Sequence, residues 1–371
     1  MMARLLGRRA ALGAGAAGCA AFAAGGIARA APAALKAAAA AKGIAYGSEV
    51  LQGELAGNAD YAGLVGRECA AIVPGWEAKW DHVEPQPGQF AFGPLDWLVD
   101  FAAAHGQRVR MHNLIWGLAM PPWLKVACAS GPMQARQALE RHVAAVVGRY
   151  RGRVYCWDVG NEVTDPLWSR GPEGLTRTPW RKALGAECIP LAFQLAHEAD
   201  PGAKLFLNDD GLEYQGAHGD EKRATYLRLI EGWKRAGVPI HGFGLEAHLD
   251  PRQPFAEREY RAFLAALAGL GLELHVTELD VTERSLPADV SARDQAVAGL
   301  CKRYLDAALD ERAVRFVLTW GLSDRFTYQN KDPDTRRADG LPCRPLPFDE
   351  QMRPTPMFAA LTQAFTHAPS R

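Results

Sequence analysis

Residues 154–162, VYCWDVGNE, and 273–280, ELHVTELD, each lead from β-branched and aromatic residues into a glutamate. Apolar runs of this length and composition suit strands buried on both faces. Strands are expected at 154–159 and 273–277, with Glu162 and Glu278 at their C-terminal ends. Six further runs of the same kind occur: 44–48, 70–74, 108–114, 204–208, 242–247 and 315–319. Between them lie segments with helical periodicity, at 94–105, 134–149, 222–236, 257–270 and 292–310. Gly106, Gly202, Gly237 and Gly271 punctuate the return into a strand.

Eight strands alternating with helices predict a parallel sheet closed on itself, an α/β fold of the (β/α)8 TIM-barrel kind. An open doubly wound sheet is the competing reading. No glycine-rich phosphate loop follows the first strand to support it. There is no short repeat and no sign of a second folded domain.

Composition narrows the function classes. The 371 residues are 48% hydrophobic and 23% charged, enough for a large single core. Formal net charge is zero, so no basic surface argues for nucleic acid or an anionic membrane. No run in the body of the chain is apolar for long enough to span a bilayer. A monomer is expected.

The N-terminus is different in kind. Arg8-Arg9 precede an Ala/Gly-rich, weakly apolar stretch ending in Ala28-Arg29-Ala30. Residues 1–30 read as a signal peptide, with the arginine pair pointing to twin-arginine export. An ordinary secretory signal is the alternative. Removing it leaves 38 basic residues against 42 acidic and a periplasmic or secreted protein. Residues 31–43 read as an Ala-rich linker with little to pack, and 44–368 as one catalytic domain. Cys19 falls within the signal and makes only a weak lipoprotein box. Cys69, Cys128, Cys156, Cys188, Cys301 and Cys343 are not spaced as metal ligands.

Strand geometry then groups the polar residues. Glu278 and Asp280 are two apart and share a face. Asp280 can orient a histidine that in turn holds Glu278, and His248, after the 242–247 strand, is the candidate. His112, Trp116, Trp123 and Trp320 fall at other strand ends, and aromatic faces at a barrel mouth suit sugar rings. Asn161 offers a neutral hydrogen-bonding neighbour to Glu162. Glu84-Pro85 reads as a turn. His82, His105, His142 and His197 have no supporting pattern and read as structural or exposed.

Taken together, these motifs resemble glycoside hydrolase family 10, best known for endo-β-1,4-xylanases. The resemblance rests on 157–162 (WDVGNE), 276–280 (VTELD), 80–92 (WDHVEPQPGQFAF), 112–116 (HNLIW), Asn208-Asp209, 244–248 (GLEAH) and 319–324 (TWGLSD). It implies a polysaccharide hydrolase with Glu162 as general acid/base and Glu278 as nucleophile. It also implies a retaining mechanism, with the two carboxyls roughly 5–5.5 Å apart. Lys79, His112, Trp116, Asn161, Glu246, His248, Asp280, Trp320 and Tyr328 are implied as substrate-binding or supporting residues. No metal or organic cofactor is implied.

The chain departs from the family pattern around the sugar sites. Gly75 and Trp76 stand where the family has Glu and Asn, and Gly117-Leu118-Ala119 replace His-Ser-Gln. Asp210-Gly211 replace Tyr-Asn, Glu246 replaces a Gln, and Tyr328 takes the place of a late Trp. Small residues at 75, 117 and 119 suggest room for a hydroxymethyl group or a branch. Two other functions stay open. One is hydrolysis of a hexose-containing or substituted bacterial exopolysaccharide. The other is non-hydrolytic glycan binding on the same scaffold.

Overall fold

The computed structural model describes residues 33–164 and 171–371. The signal-peptide reading of residues 1–30 lies outside them.

The strands are β1 (Ala45–Val50), β2 (Ala71–Pro74), β3 (Arg108–Ile115), β4 (Cys156–Asn161), β5 (Lys204–Asp209), β6 (Gly242–Leu245), β7 (His248–Leu249), β8 (Glu273–Val281) and β9 (Val314–Thr319). All pairings among them are parallel. The sheet runs β6-β5-β4-β3-β2-β1-β9-β8, and β6 also pairs with β8. That last pairing closes an eight-stranded barrel. The two-residue β7 resumes the line of β6 and pairs with the end of β8, His248 opposite Asp280.

The barrel strands are buried almost end to end, β4 completely. This explains why they read as apolar runs rather than alternations: helices cover the outer face while side chains fill the lumen. Several outer helices open with proline in the first turn, as at Pro94, Pro122, Pro132, Pro179 and Pro356. The missing N–H costs nothing at that position. Gly237 and Gly271, with φ of +79° and +76°, turn the chain out of the helices before β6 and β8.

The lumen has an apolar floor of Ala71, Val73, Phe316 and Leu318, packed by Ala45, Tyr155 and Trp320. A polar layer lies beside it. Arg110 holds both carboxylate oxygens of Asp158 and donates to Nδ1 of His275 at 2.7 Å. Burial pushes His275 down to about 3, so its ring is neutral and can accept from arginine. Its other nitrogen, Nε2, donates to Glu273 at 2.8 Å.

One boundary is corrected. The Ala-rich stretch read as a linker contains a helix, Leu35–Ala40, with Leu35 and Ala39 fully buried. The backbone N of Leu35 donates to Glu68 at 2.9 Å, and Lys36 donates to the Gly66 carbonyl at 2.7 Å. Small side chains carry little apolar surface of their own. They instead let this short helix lie close against the C-terminal helix Pro356–His367. The compact unit runs from Ala33 to Arg371. All six cysteines in it are free and buried.

Candidate active site

The C-terminal ends of the strands surround a cavity of about 610 Å³. Its wall includes Lys79, His112, Trp116, Glu162, Glu246, His248, Glu278, Trp320 and Tyr328, all singled out from the sequence. Asn161 and Asp280 stand directly behind it.

Asn208, at the end of β5, is the hub of the site. Its Oδ1 accepts from the Thr277 hydroxyl at 2.7 Å. Its amide nitrogen points at three oxygens: Glu278 Oε1 at 2.8 Å, Glu246 Oε1 at 2.9 Å and Asn161 Oδ1 at 2.9 Å. Asn161 in turn donates to Glu162 at 3.2 Å. One buried amide therefore links β4, β8 and the residue that follows β6. Gly244 makes this possible, since a Cβ there would lie 2.0 Å from Asn208 Oδ1.

The surroundings of Glu278 favour its charged form. Burial opposes ionisation, but His112, His248 and Lys79 outweigh it and hold the carboxyl down at about 2. His248 Nε2 is 3.3 Å from Glu278, and its Nδ1 is 2.9 Å from Asp280. Burial works against the His248 charge, but Asp280 and Glu278 overcome this and raise it well above the ordinary histidine range. An imidazolium clamped between two carboxylates results. His112 lies 3.8 Å from Glu278 and is anchored by Asp158 at 3.1 Å.

Glu162 has the opposite character. Burial and the negative charges of Asp209 and Asp210 push its carboxyl up to about 8, against a hydrogen bond from the Trp116 side chain. Its backbone has φ +48°, left-handed for a non-glycine residue, as does Ala247 at +64°. Such conformations cost about 1–3 kcal/mol each and concentrate at functional sites. Here they fall where β4 ends and where β6 breaks before β7, beside the cavity.

Glu246 is fully buried. Desolvation and the neighbouring Glu278, Glu162, Asp210 and Asp209 raise its carboxyl well above the ordinary range. Donor atoms of Glu246, His248 and Glu278 lie within 4.8 Å of one another, a spacing that would admit a cation. Each is already engaged in the hydrogen bonds described above, which account for the cluster.

Lys79 is buried, and desolvation lowers its pKa although Glu278, Glu49 and Glu162 oppose this. Its ammonium lies 4.0 Å from the Trp76 ring centre and 4.8 Å from that of Trp116. Trp320 meets His112 and His248 edge-on, and Tyr328 meets His248 likewise.

Three expectations are corrected. Trp123 is not at the mouth: its indole N–H donates to the Glu84 carbonyl, and its ring packs on Trp80. Glu84 is more than a turn residue. It is a buried carboxylate that binds His142 at 2.8 Å and the Gly88 N–H at 2.7 Å. Nor do the glycines open room. A Cβ on Gly75 would lie 1.9 Å from the Glu49 carboxyl, and one on Gly117 would lie 2.8 Å from Thr178. The space beside each glycine is filled by a neighbour. Glu49 and the hub role of Asn208 were not foreseen. The Asn208-Asp209 motif offered a signal for the second, and nothing in β1 singled out the first.

A barrel whose mouth gathers one neutral and one ionised carboxyl, ringed by aromatic side chains, has the equipment of a glycoside hydrolase. Comparison with known proteins agrees. The model of the glycosyl hydrolase family 10 matches residues 34–364. A β-1,4-xylanase of Dictyoglomus thermophilum is 34% identical over 309 residues, covering 80% of this chain and 82% of that one. An endo-1,4-β-xylanase of Geobacillus stearothermophilus is 33% identical over 299 residues, covering 76% and 84%. Native xylanase 10B from Thermotoga maritima superposes with a TM-score of 0.79 at 28% identity, covering 90% of this chain and 98% of that one. The chain belongs to glycosyl hydrolase family 10 and is a glycoside hydrolase.

Proposed function

We propose that the protein is a retaining endo-β-glycosidase that cleaves β-1,4-linked polysaccharide by double displacement. Glu162 is the general acid/base and Glu278 the nucleophile. The observation that carries this reading is the opposed state of the two carboxyls. Near neutral pH Glu162 keeps its proton for the leaving oxygen while Glu278 is ionised for attack. Once the glycosyl-enzyme forms, the negative charge of Glu278 is consumed. Glu162, having given up its proton, then takes one from water.

Lys79, His112 and His248 stabilise the nucleophile's charge, and Asp280 positions His248. Trp116, Trp320 and Tyr328 form the walls against which sugar rings pack. The protein acts after export, without a cofactor.

Xylan is the first substrate to test, since relatives named as xylanases support it. A hexose-containing or substituted β-glycan is the second. It is favoured by the exchange of several expected hydroxyl-binding side chains and by the carboxyls of Glu246 and Glu49 in the cavity wall. Product analysis on a panel of xylan, mixed-linkage glucan and exopolysaccharides tests both, with NMR of the first-formed anomer. Retained β-configuration and internal cleavage are expected. Inversion, or products released singly from chain ends, refutes the mechanism. Strong activity on unsubstituted xylan alone refutes the second substrate.

A further inference from the structure

Alternation along β1 places Ala45, Gly47 and Glu49 on one face. Ala45 packs on the floor of the lumen, and a Cβ on Gly47 would strike Ala71 and Leu318. That face therefore points inward, and Glu49 is its uppermost residue, at the mouth. Its strand partner is Val73 on β2. Gly75, two residues further and just past the end of β2, comes to lie beside it, its N–H bonded to the Val50 carbonyl at 3.0 Å. An ideal Cβ on Gly75 would stand 1.9 Å from Glu49 Oε1 and 2.8 Å from Cδ. No side chain at position 75 is compatible with the observed place of the Glu49 carboxyl.

That carboxyl lines the same cavity as Glu162 and Glu278. Among the described residues it makes no hydrogen bond and no ion pair. A polar group with no protein partner, turned into a cavity that takes sugars, is set to bind hydroxyls. We propose that Glu49 is a substrate-binding residue that reads the hydroxyls of the sugar lying against β1 and β2, and that Gly75 is the residue that admits it.

This rests on the glycosidase reading above and extends it to one side of the cavity. Desolvation, reinforced by Glu54, Glu77 and Glu278 and opposed by Lys79, raises the Glu49 carboxyl well above its ordinary range. The shift favours the protonated form, in which a carboxyl offers one donor and a carbonyl acceptor, as two adjacent hydroxyls require. A carboxylate would only accept.

The test compares wild type with Glu49→Ala, Glu49→Gln, Gly75→Ala and the double variant Glu49→Ala/Gly75→Ala. The substrates are reduced-end-labelled xylotetraose and cellotetraose. Glu49→Ala is expected to lower kcat/KM by about 10- to 100-fold, as loss of one or two hydroxyl contacts would, and to change the ratio between the two substrates. Its melting temperature should stay near that of wild type. Glu49→Gln, which keeps a donor and an acceptor, should restore most of the loss. Gly75→Ala displaces the carboxyl and should lower kcat/KM similarly, while the double variant should be no worse than Glu49→Ala.

The proposal is overturned if Glu49→Ala keeps both kcat/KM and the substrate ratio. It is equally overturned if activity falls only in step with melting temperature, or if Glu49→Gln is as poor as Glu49→Ala. Should Gly75→Ala fail to fold, the Glu49 variants decide. A wild type that cleaves neither labelled substrate nor any polymer of the panel would instead refute the glycosidase reading.

Discussion

Replacing Glu162 with glutamine removes a proton that the structure holds unusually tightly. An ordinary glutamate, at 4.5, would be only about 3% protonated at pH 6, whereas one raised to about 8 is almost wholly protonated. Burial and the charges of Asp209 and Asp210 thus supply about 30-fold more of the acid form at that pH. In the proposed mechanism the first chemical step needs protonated Glu162, so kcat/KM should stay flat through neutral pH and fall as pH rises through about 8. In Glu162→Gln the alkaline limb should vanish. On polysaccharide the rate should drop by about 10²- to 10⁴-fold, the usual worth of a positioned acid. A 2,4-dinitrophenyl glycoside of the same disaccharide is the control, because its leaving group needs no proton. For it, kcat/KM should remain within about tenfold of wild type. Its kcat should fall because the base for the second step is gone, leaving a burst of dinitrophenol. Equal losses on both substrates, or an alkaline limb near the ordinary glutamate value in wild type, would refute the assignment.

Asp280→Asn should weaken the charge on His248 and so release Glu278 from its low value of about 2. The acid limb of kcat/KM should shift upward by a unit or more, roughly, while the alkaline limb stays in place; an unmoved acid limb counts against the relay. Glu246→Gln keeps the shape and removes a buried acid. The folded chain retains a proton on Glu246 that the unfolded chain releases above the ordinary glutamate range. Wild-type stability should therefore fall as pH rises above that range. The thermal advantage of the variant should grow by up to about 1.4 kcal/mol per pH unit. Melting curves between pH 5 and 8 check this, and a constant offset would defeat it. Arg110→Ala leaves the Asp158 carboxylate buried in the lumen without its arginine, with His112 as its remaining partner. A loss of about 3–5 kcal/mol in urea unfolding is expected, and under about 1 kcal/mol would show that water or rearrangement satisfies the carboxylate.

The parts of this architecture that were legible are those set by local pattern. Buried parallel strands carry apolar residues on both faces, so all eight barrel strands could be read from short runs, to within a few residues. Glu278 and Asp280 share a strand face by simple alternation, and the structure does place His248 between them. What the chain hides is set by contact across strands. Asn208 matters because its amide reaches Asn161 of β4, Glu278 of β8 and Glu246 just past β6 at once, and that convergence exists only after the barrel closes. The Leu35–Ala40 helix is hidden in the sequence because alanine carries little apolar signal, yet it packs closely for the same reason.

Gly75 shows the limit most clearly. The sequence displays a missing side chain, and a missing side chain suggests space. In a lumen packed at crystal-like density, space beside a strand is taken by whatever the neighbouring strand can offer. Here the neighbour is β1, and what it offers is a carboxyl. Gly75 and Glu49, 26 residues apart in the chain, thus share one space, and a reading of either alone mistakes its meaning. By the same reasoning, Gly117 and Thr178 are one unit. Substitutions at any of these four positions should be interpreted in pairs, and a single change toward a larger side chain at 75 or 117 should remove the neighbour's contribution rather than add its own.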